Sequence, residues 1–348
     1  MFEFITGFYF LVLGLALFIA KKRHIPQPKT NEKLDQGLSV IVAFKNEEQR
    51  FLPLINALNL AKLPKQFEIL FIDDHSTDQS INFLLGHLNI PFTIIRLSKV
   101  KGKKQAISQG VQKAKYQNIL TLDADVSFAS NYFQNIAALP LADLTILPVN
   151  MVGTSFLQKL ASIEFNWLQS ITFFTLAMHK PTLANGANLL FRKKVYLETL
   201  LIRSDAHIPS GDDTFLLGAV KSENGKILGV NDLDYAIKTP APKTWSELLS
   251  QRKRWIKKVL GLPTILTILI LICYQLIFIY SLIQLPKHYL WLVPLFIKLL
   301  IEWIGLNEKK PVHLITLLMH QFYYPIYGFL LCLSIPFPSH WKKDEISK

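Results

Sequence analysis

Only two cysteines occur in the 348 residues, Cys273 and Cys332, and both lie in apolar stretches. They form neither a metal-ligand spacing nor a disulfide framework, so they read as packing residues. Zinc-finger spacings are missing, and so is the interleaving of aromatic and basic residues that stacks single-stranded nucleic acid. Nucleic acid is therefore not expected as a partner. The P-loop pattern is also missing, which removes support for a P-loop kinase or ATPase. His75, His179 and His207 share no ligand spacing. Charge is scarce as well: 18% of residues are charged, and 50% are hydrophobic. That balance is low in charge for a soluble enzyme and predicts that part of the chain lies in lipid.

The hydrophobicity is uneven. Phe2 to Ala20 is nearly all apolar, with Glu3 as its lone charge, and Lys21, Lys22 and Arg23 follow. It reads as a retained anchor, without a clear small-residue cleavage site, and the basic flank predicts a cytoplasmic domain after it. A second apolar region begins after residue 262, with candidate spans over Pro263 to Leu285, Tyr289 to Ile304 and Val312 to Ile335. Lys253, Arg254, Lys257 and Lys258 precede it, as expected of a cytoplasmic flank. Much of the net charge of +13 would face an anionic membrane surface or an anionic substrate. The expected layout is an anchor over 1–22, a linker over 23–37, a cytoplasmic catalytic domain over 38–260, a membrane region of two to three helices over 261–338 and a polar tail over 339–348. The lipid bilayer is thus an expected partner, and a bacterial inner membrane the expected location.

Between the apolar ends, short strands alternate with helical segments. Leu38 to Ala43, Phe67 to Ile72, Phe92 to Arg96 and Ile119 to Leu122 predict buried strands. The alternation predicts an α/β layer fold with a largely parallel sheet, whose polar strand ends build the site. Thr154 to Met178 is helix-like but carries Gln158, Lys159, Glu164, Asn166 and Gln169, which favours an interfacial or domain-packing helix over a span.

Several strand ends carry chemistry. Asp123 and Asp125 follow an apolar strand, and such a pair places oxygens near a hard cation such as Mg²⁺. Asp73, Asp74 and Asp78 end another strand. They could accept from a base or ribose, or lie in the first turn of a helix capped by Ser76 or Thr77. Lys101, Gly102, Lys103 and Lys104 open a helical segment and could face a phosphate or simply be solvated. Asn185-Gly186-Ala187-Asn188 is a tight polar turn, compatible with close approach of a substrate or with an ordinary turn. Asp212 and Asp213 offer a general base, with helix capping as the alternative. Gln251, Arg252, Lys253, Arg254 and Trp255 precede the second apolar region. There they could mark topology, or aim a cation at a leaving pyrophosphate and an indole at a sugar.

These motifs occur in an order that resembles the family 2 glycosyltransferases, the inverting GT-A group with membrane-bound members. Ser39 to Glu48 is similar to the family's first strand and loop, and Asp73 to Asp78 to its nucleotide-binding acidic motif. Gly102-Lys103-Lys104-Gln105-Ala106 is similar to its donor-side basic segment, and Asp123-Ala124-Asp125 to its DxD motif. Asn185 to Asn188, Gly211-Asp212-Asp213 and Gln251 to Trp255 resemble the acceptor-side turn, the catalytic acidic motif and the QxxRW motif.

The resemblance implies a GT-A, Rossmann-like nucleotide-sugar domain with an N-terminal anchor and C-terminal membrane helices. It implies Mg²⁺ or Mn²⁺ at Asp125 and Asp123. Donor contacts would come from Asp73, Asp74, Lys103, Asp123, Asn185, Gly186 and Gln251. Asp213 would be the base, aided by Asp212, Arg254 and Trp255. Separately, the apolar segments next to the site suggest a membrane-proximal acceptor, lipid-linked or a glycan of the cell envelope, and no residue pattern specifies the sugar or an oligomeric state. Gly-Asp-Asp replaces the Thr-Glu-Asp common in processive synthases, and the C-terminal spans are fewer. Both differences argue against a polymer-secreting channel. The alternatives are a processive synthase, a polyprenyl-phosphate glycosyltransferase, a nucleotidyltransferase, or a structural or transport protein without nucleotide binding.

Overall fold

The computed structural model describes residues 37–98, 102–203, 211–259, 276, 279–307 and 314–334. These residues group into two compact units. The first comprises the described parts of Arg23–Met151 and Thr172–Pro240, and the second those of Val152–Ile171 and Ala241–Lys348.

In the first unit the chain runs β1 (Leu38–Phe44), α1 (Leu52–Asn59), β2 (Phe67–Asp73), α2 (Ser80–His87), β3 (Thr93–Arg96), α3 (Lys103–Lys113), β4 (Asn118–Leu122) and α4 (Tyr132–Ala137). Then follow β5 (Leu144–Ile146), β6 (Val149–Val152), the last turns of α5 (Phe156–Ala177), β7 (Asn188–Arg192), α6 (Lys193–Thr199), α7 (Asp212–Ser222), β8 (Ile227–Gly229) and β9 (Ile237–Pro240). Seven strands form one sheet in the order β3-β2-β1-β4-β7-β5-β8, and β6 pairs with β9. All seven residues of β1 are buried, as a strand covered on both faces requires. On one side Ala106, Ile107 and Val111 of α3 pack with Ile41 and Ile72. On the other, Phe44, Phe51 and Phe71 meet edge-on, with ring centroids 5.2 to 6.4 Å apart.

The sheet is mixed rather than simply parallel. β1 runs parallel to β2 and β4, while β7 is antiparallel to both β4 and β5. This reversal brings the start of β7 to the edge where β4 ends, with Leu122 opposite Asn188. The same edge carries the ends of β1 and β2, with Phe44 opposite Asp73. Strand order changes direction between β1 and β4, and an open α/β sheet opens a crevice at such a point.

Helix α3 approaches the sheet closely at Gly110, where an added Cβ would stand 2.8 Å from Ile41 Cγ2 and 3.2 Å from Ile72 Cγ1. Gly110→Ala gains helix propensity of ~0.5–1 kcal/mol but overpacks two stiff β-branched side chains at ~1–3 kcal/mol. The expected outcome is a net loss on the order of 1 kcal/mol in urea unfolding. A stabilised variant would show that α3 shifts freely.

The second unit contains residues 156–171 of α5, then α8 (Trp245–Val259), α9 (Leu292–Asn307) and α10 (Leu314–Ser334). Among the described residues no helix is long and apolar enough to cross a membrane. This corrects the expected C-terminal membrane helices, the membrane-bound form of the family, the bilayer as a partner and the inner-membrane location. The physical reasons are specific. Helix α9 has 16 residues, about 24 Å at 1.5 Å per residue, against a hydrocarbon core of about 30 Å. It also buries Lys298 and Glu302, joined at 2.8 Å. Gln321 of α10 accepts from Lys298 and donates to Glu302 at 2.6 Å. Helix α10 has 21 residues but buries His320 beside Gln321, and α5 buries Glu164 and Gln169. The expected anchor over 1–22, most of the expected span over 263–285 and the tail over 339–348 lie outside the described residues.

Candidate active site

The loops after β1 and β2 are laced together by side chains. Asn46, at φ 52°, accepts from Thr77 N through Oδ1 at 2.8 Å, and its own N–H donates to Ser76 Oγ at 3.1 Å. Ser80 Oγ accepts from Glu47 N at 2.7 Å, and Asp78 from Glu48 N at 3.1 Å. Ser76 and Thr77 therefore do not cap α2, whose N-cap is Gln79 with no side-chain cap bond. Asp73 and Asp74 are both buried. Asp73 accepts from Ser76 N at 2.9 Å. Asp74 accepts from Gly102 N at 2.9 Å and faces His75 Nδ1 at 3.2 Å. Gly102 holds φ 123°, a conformation open mainly to glycine, directly before α3. Asp74 thus fixes the start of the helix whose first residue is Lys103. A cavity of about 460 Å³ opens beside this loop, lined by Asp73, His75, Ser76, Thr77, Asn82 and Arg96 among others. Its volume lies in the range of small-ligand sites.

Lys103 reaches across to Asp123 Oδ1 in an ion pair. Burial by itself would lower its pKa, but the carboxylates of Asp123, Asp213 and Asp125 together hold it above the usual lysine value. One ammonium therefore senses three acids from two separate sequence motifs. Asp213 is seated in turn by the glycine turn. Its Oδ2 accepts from Gly186 N at 2.9 Å, and its Oδ1 from Thr214 N at 2.8 Å. Asn185 Oδ1 accepts from Ala187 N at 3.0 Å and shapes the turn itself. Asn188 is buried and bound to the carbonyls of Pro148 and Tyr235 at 2.8 and 3.0 Å.

Asp212 points elsewhere. It is paired with Arg203 and accepts from Tyr196 OH at 3.3 Å. Burial raises its pKa, Arg203 opposes the rise, and neighbouring Asp213 adds to it. Nothing local in the sequence marked Arg203 or Tyr196, because their roles depend on where α6 and α7 pack.

Among the described residues no group of three or more His, Cys, Asp or Glu is arranged to hold a metal ion. An all-protein cage is therefore not formed there. Asp123 and Asp125 directly follow β4, and Asp123 Oδ1 is paired with Lys103.

The second unit holds the Gln251 to Trp255 segment. Arg252 is buried and meets Glu164 with Nε and Nη2 at 3.0 to 3.2 Å. Its Nη1 donates to Gln251 Oε1 at 2.6 Å, and its guanidinium lies 4.1 Å from the Trp255 ring centroid. Partial burial lowers the pKa of Arg254. The residue that organises the motif within this unit is thus Arg252, which the motif pattern treats as variable.

Residues 118–338 match the family described as Glycosyl transferase family group 2, over more than half of the chain. The chain belongs to that family. An overlapping match to Glycosyl transferase family 2 covers residues 39–194. By family, then, the protein is a glycosyltransferase with a GT-A-like α/β domain. It is 25% identical over 121 residues to the poly-β-1,6-N-acetyl-D-glucosamine synthase of Staphylococcus epidermidis, 34% of this chain and 29% of the relative. It is 31% identical over 96 residues to the undecaprenyl-phosphate 4-deoxy-4-formamido-L-arabinose transferase of Pseudomonas fluorescens, 26% of this chain and 28% of the relative. The chain thus matches less than a third of the length of either relative. Among solved structures, the mannosyltransferase PcManGT of Pyrobaculum calidifontis shares the fold at a TM-score of 0.55 and 13% identity, over 97% of this chain and 99% of that one.

Proposed function

We propose that this glycosyltransferase transfers a sugar from a nucleotide-sugar donor, with inversion, to a hydroxyl of a glycan or lipid-linked acceptor. The observation that carries the reading is the ion pair of Lys103 with Asp123 just past β4, with the carboxylates of Asp213 and Asp125 acting on the same ammonium. In this reading the acceptor oxygen attacks the anomeric carbon from the face opposite the leaving diphosphate. Asp213 takes the hydroxyl proton, its carboxylate held in place by Gly186 N–H and Thr214 N–H. Lys103 supplies positive charge on the donor side. A divalent cation, Mg²⁺ or Mn²⁺, held by Asp125 and Asp123 with the donor phosphates, would offset charge on the leaving nucleoside diphosphate. Asp73, Asp74, Asn185 and Gly186 shape the donor side; on the strength of the QxxRW motif Gln251 is assigned to the donor as well, and Arg254 and Trp255 to the leaving group and the sugar. Asp212 is kept in the machinery as an anchor rather than a second base.

The test is release of nucleoside diphosphate from a panel of nucleotide sugars with Mg²⁺ or Mn²⁺, alongside Asp125→Ala. The expected result is cation-dependent turnover of one donor that falls about 100-fold or more in the variant, the scale of a few kcal/mol of charge stabilisation. Turnover that survives chelation and Asp125→Ala would overturn the cation assignment. No turnover across the panel would overturn the activity.

A further inference from the structure

A general base works only if its carboxylate is aimed, and besides the N–H groups of Gly186 and Thr214 that hold the Asp213 carboxylate, the rotation of α7 itself must be set. Gly211 precedes the helix at φ 100°, and no side-chain cap bond fixes the N-terminus. The first turn is instead tied down through Asp212. Its carboxylate is 11% exposed, and the Arg203 side chain paired with it is 2% exposed. Tyr196 OH reaches the same Oδ1 at 3.3 Å, and the Arg203 guanidinium lies 5.7 Å from the Tyr196 ring. Tyr196 is fully buried and stacks on Phe191 of β7 at 5.2 Å. A continuous set of contacts therefore runs from the sheet through Phe191 and Tyr196 to Asp212.

Successive residues on a helix project about 100° apart. Pinning Asp212 inward sets the rotation of the first turn, and that rotation sends Asp213 toward Gly186 N, where it is bound at 2.9 Å. We infer that Arg203 is a positioning residue: by holding Asp212 against Tyr196 it fixes the rotation of α7 and so the aim of Asp213. The inference rests on the assignment of Asp213 as base. It also gives the two adjacent aspartates separate tasks, one buried and anchoring, the other facing the reaction.

The test uses the full chain with Arg203→Lys, Arg203→Gln, the double variant Arg203→Gln/Asp212→Asn, and Asp213→Asn measured beside them. Turnover of UDP-GlcNAc and GDP-mannose, UDP and GDP binding by calorimetry, and thermal midpoints are recorded for each. Arg203→Gln strands a buried carboxylate and lowers the midpoint. Its kcat is expected to fall about 100-fold, the cost of a small misplacement of a reacting group, with donor KM nearly unchanged. Arg203→Lys keeps the charge and recovers much of kcat. The double variant replaces the ion pair by two neutral amides, so it recovers stability while kcat stays low, because the shorter Gln does not restore the anchor. If kcat returns together with stability in the double variant, Arg203 is only structural and the inference is overturned. It is overturned equally if Arg203→Gln keeps kcat, or loses nucleotide binding in proportion. Full activity in Asp213→Asn would instead show that the base assignment itself is wrong, and the role of Arg203 would fall with it.

Discussion

Asp213→Asn is expected to lose about 100- to 10,000-fold of the transfer rate, the usual range for removing a positioned general base, while the nucleotide stays bound. The substitution is nearly isosteric but chemically exacting. Both carboxylate oxygens of Asp213 accept from backbone N–H groups, Gly186 N at 2.9 Å and Thr214 N at 2.8 Å. An asparagine offers one acceptor to those two donors, so its amide nitrogen must face one N–H. That local mismatch costs about 1–3 kcal/mol, and the thermal midpoint should register it. The rate loss is separable from it, because nucleotide binding by calorimetry reports whether the donor side is intact. A rate within a few-fold of the parent would sink the base role. It would favour a phosphate acceptor, which is already ionised and needs no proton removed.

Arg252→Met is expected to cost the second unit about 3–5 kcal/mol, the range for breaking a buried ion pair from one side. Arg252 is 2% exposed and Glu164 6% exposed, so solvent does little to screen the carboxylate left behind. The three close contacts to Glu164 disappear together. Gln251 loses the donor to its Oε1, and Trp255 the cation beneath its ring. Calorimetric unfolding measures the loss. Adding Glu164→Gln removes the stranded charge, and much of the stability should return. An unchanged midpoint in Arg252→Met would show that Glu164 has an equivalent partner. Substituting Arg254 instead should leave stability much closer to the parent, since Glu164 keeps its cation.

The strand ends were legible because the physics that marks them is local. A strand buried on both faces must be apolar throughout, as Leu38 to Phe44 is, and it must stop where polar residues meet water. Acids at two such stops, Asp73-Asp74 and Asp123-Asp125, therefore announce one edge of the sheet. The antiparallel β7 was not legible. Its apolar run reads the same in either direction, and only pairing with β4 and β5 sets its sense. The membrane helices were misjudged for a related reason. Hydropathy counted the apolar residues of α9 and α10, but Lys298, Glu302 and Gln321 bury their polar atoms against one another within that unit.

The sequence by itself determined the acidic strand ends and the glycine turn, each written in a run of neighbouring residues, and the α/β class and the family, written in the order of such runs along the chain. Only the tertiary structure decided which charges are partners. It joined Lys103 to Asp123, 20 residues away. It gave Arg203 to Asp212 and bound the adjacent Asp213 to the N–H groups of Gly186 and Thr214. It chose Arg252 over Arg254 as the partner of Glu164, 88 residues distant. A buried charge takes whichever counter-charge the packing of helices and sheet brings within reach, and that proximity is set by the fold rather than by spacing along the chain.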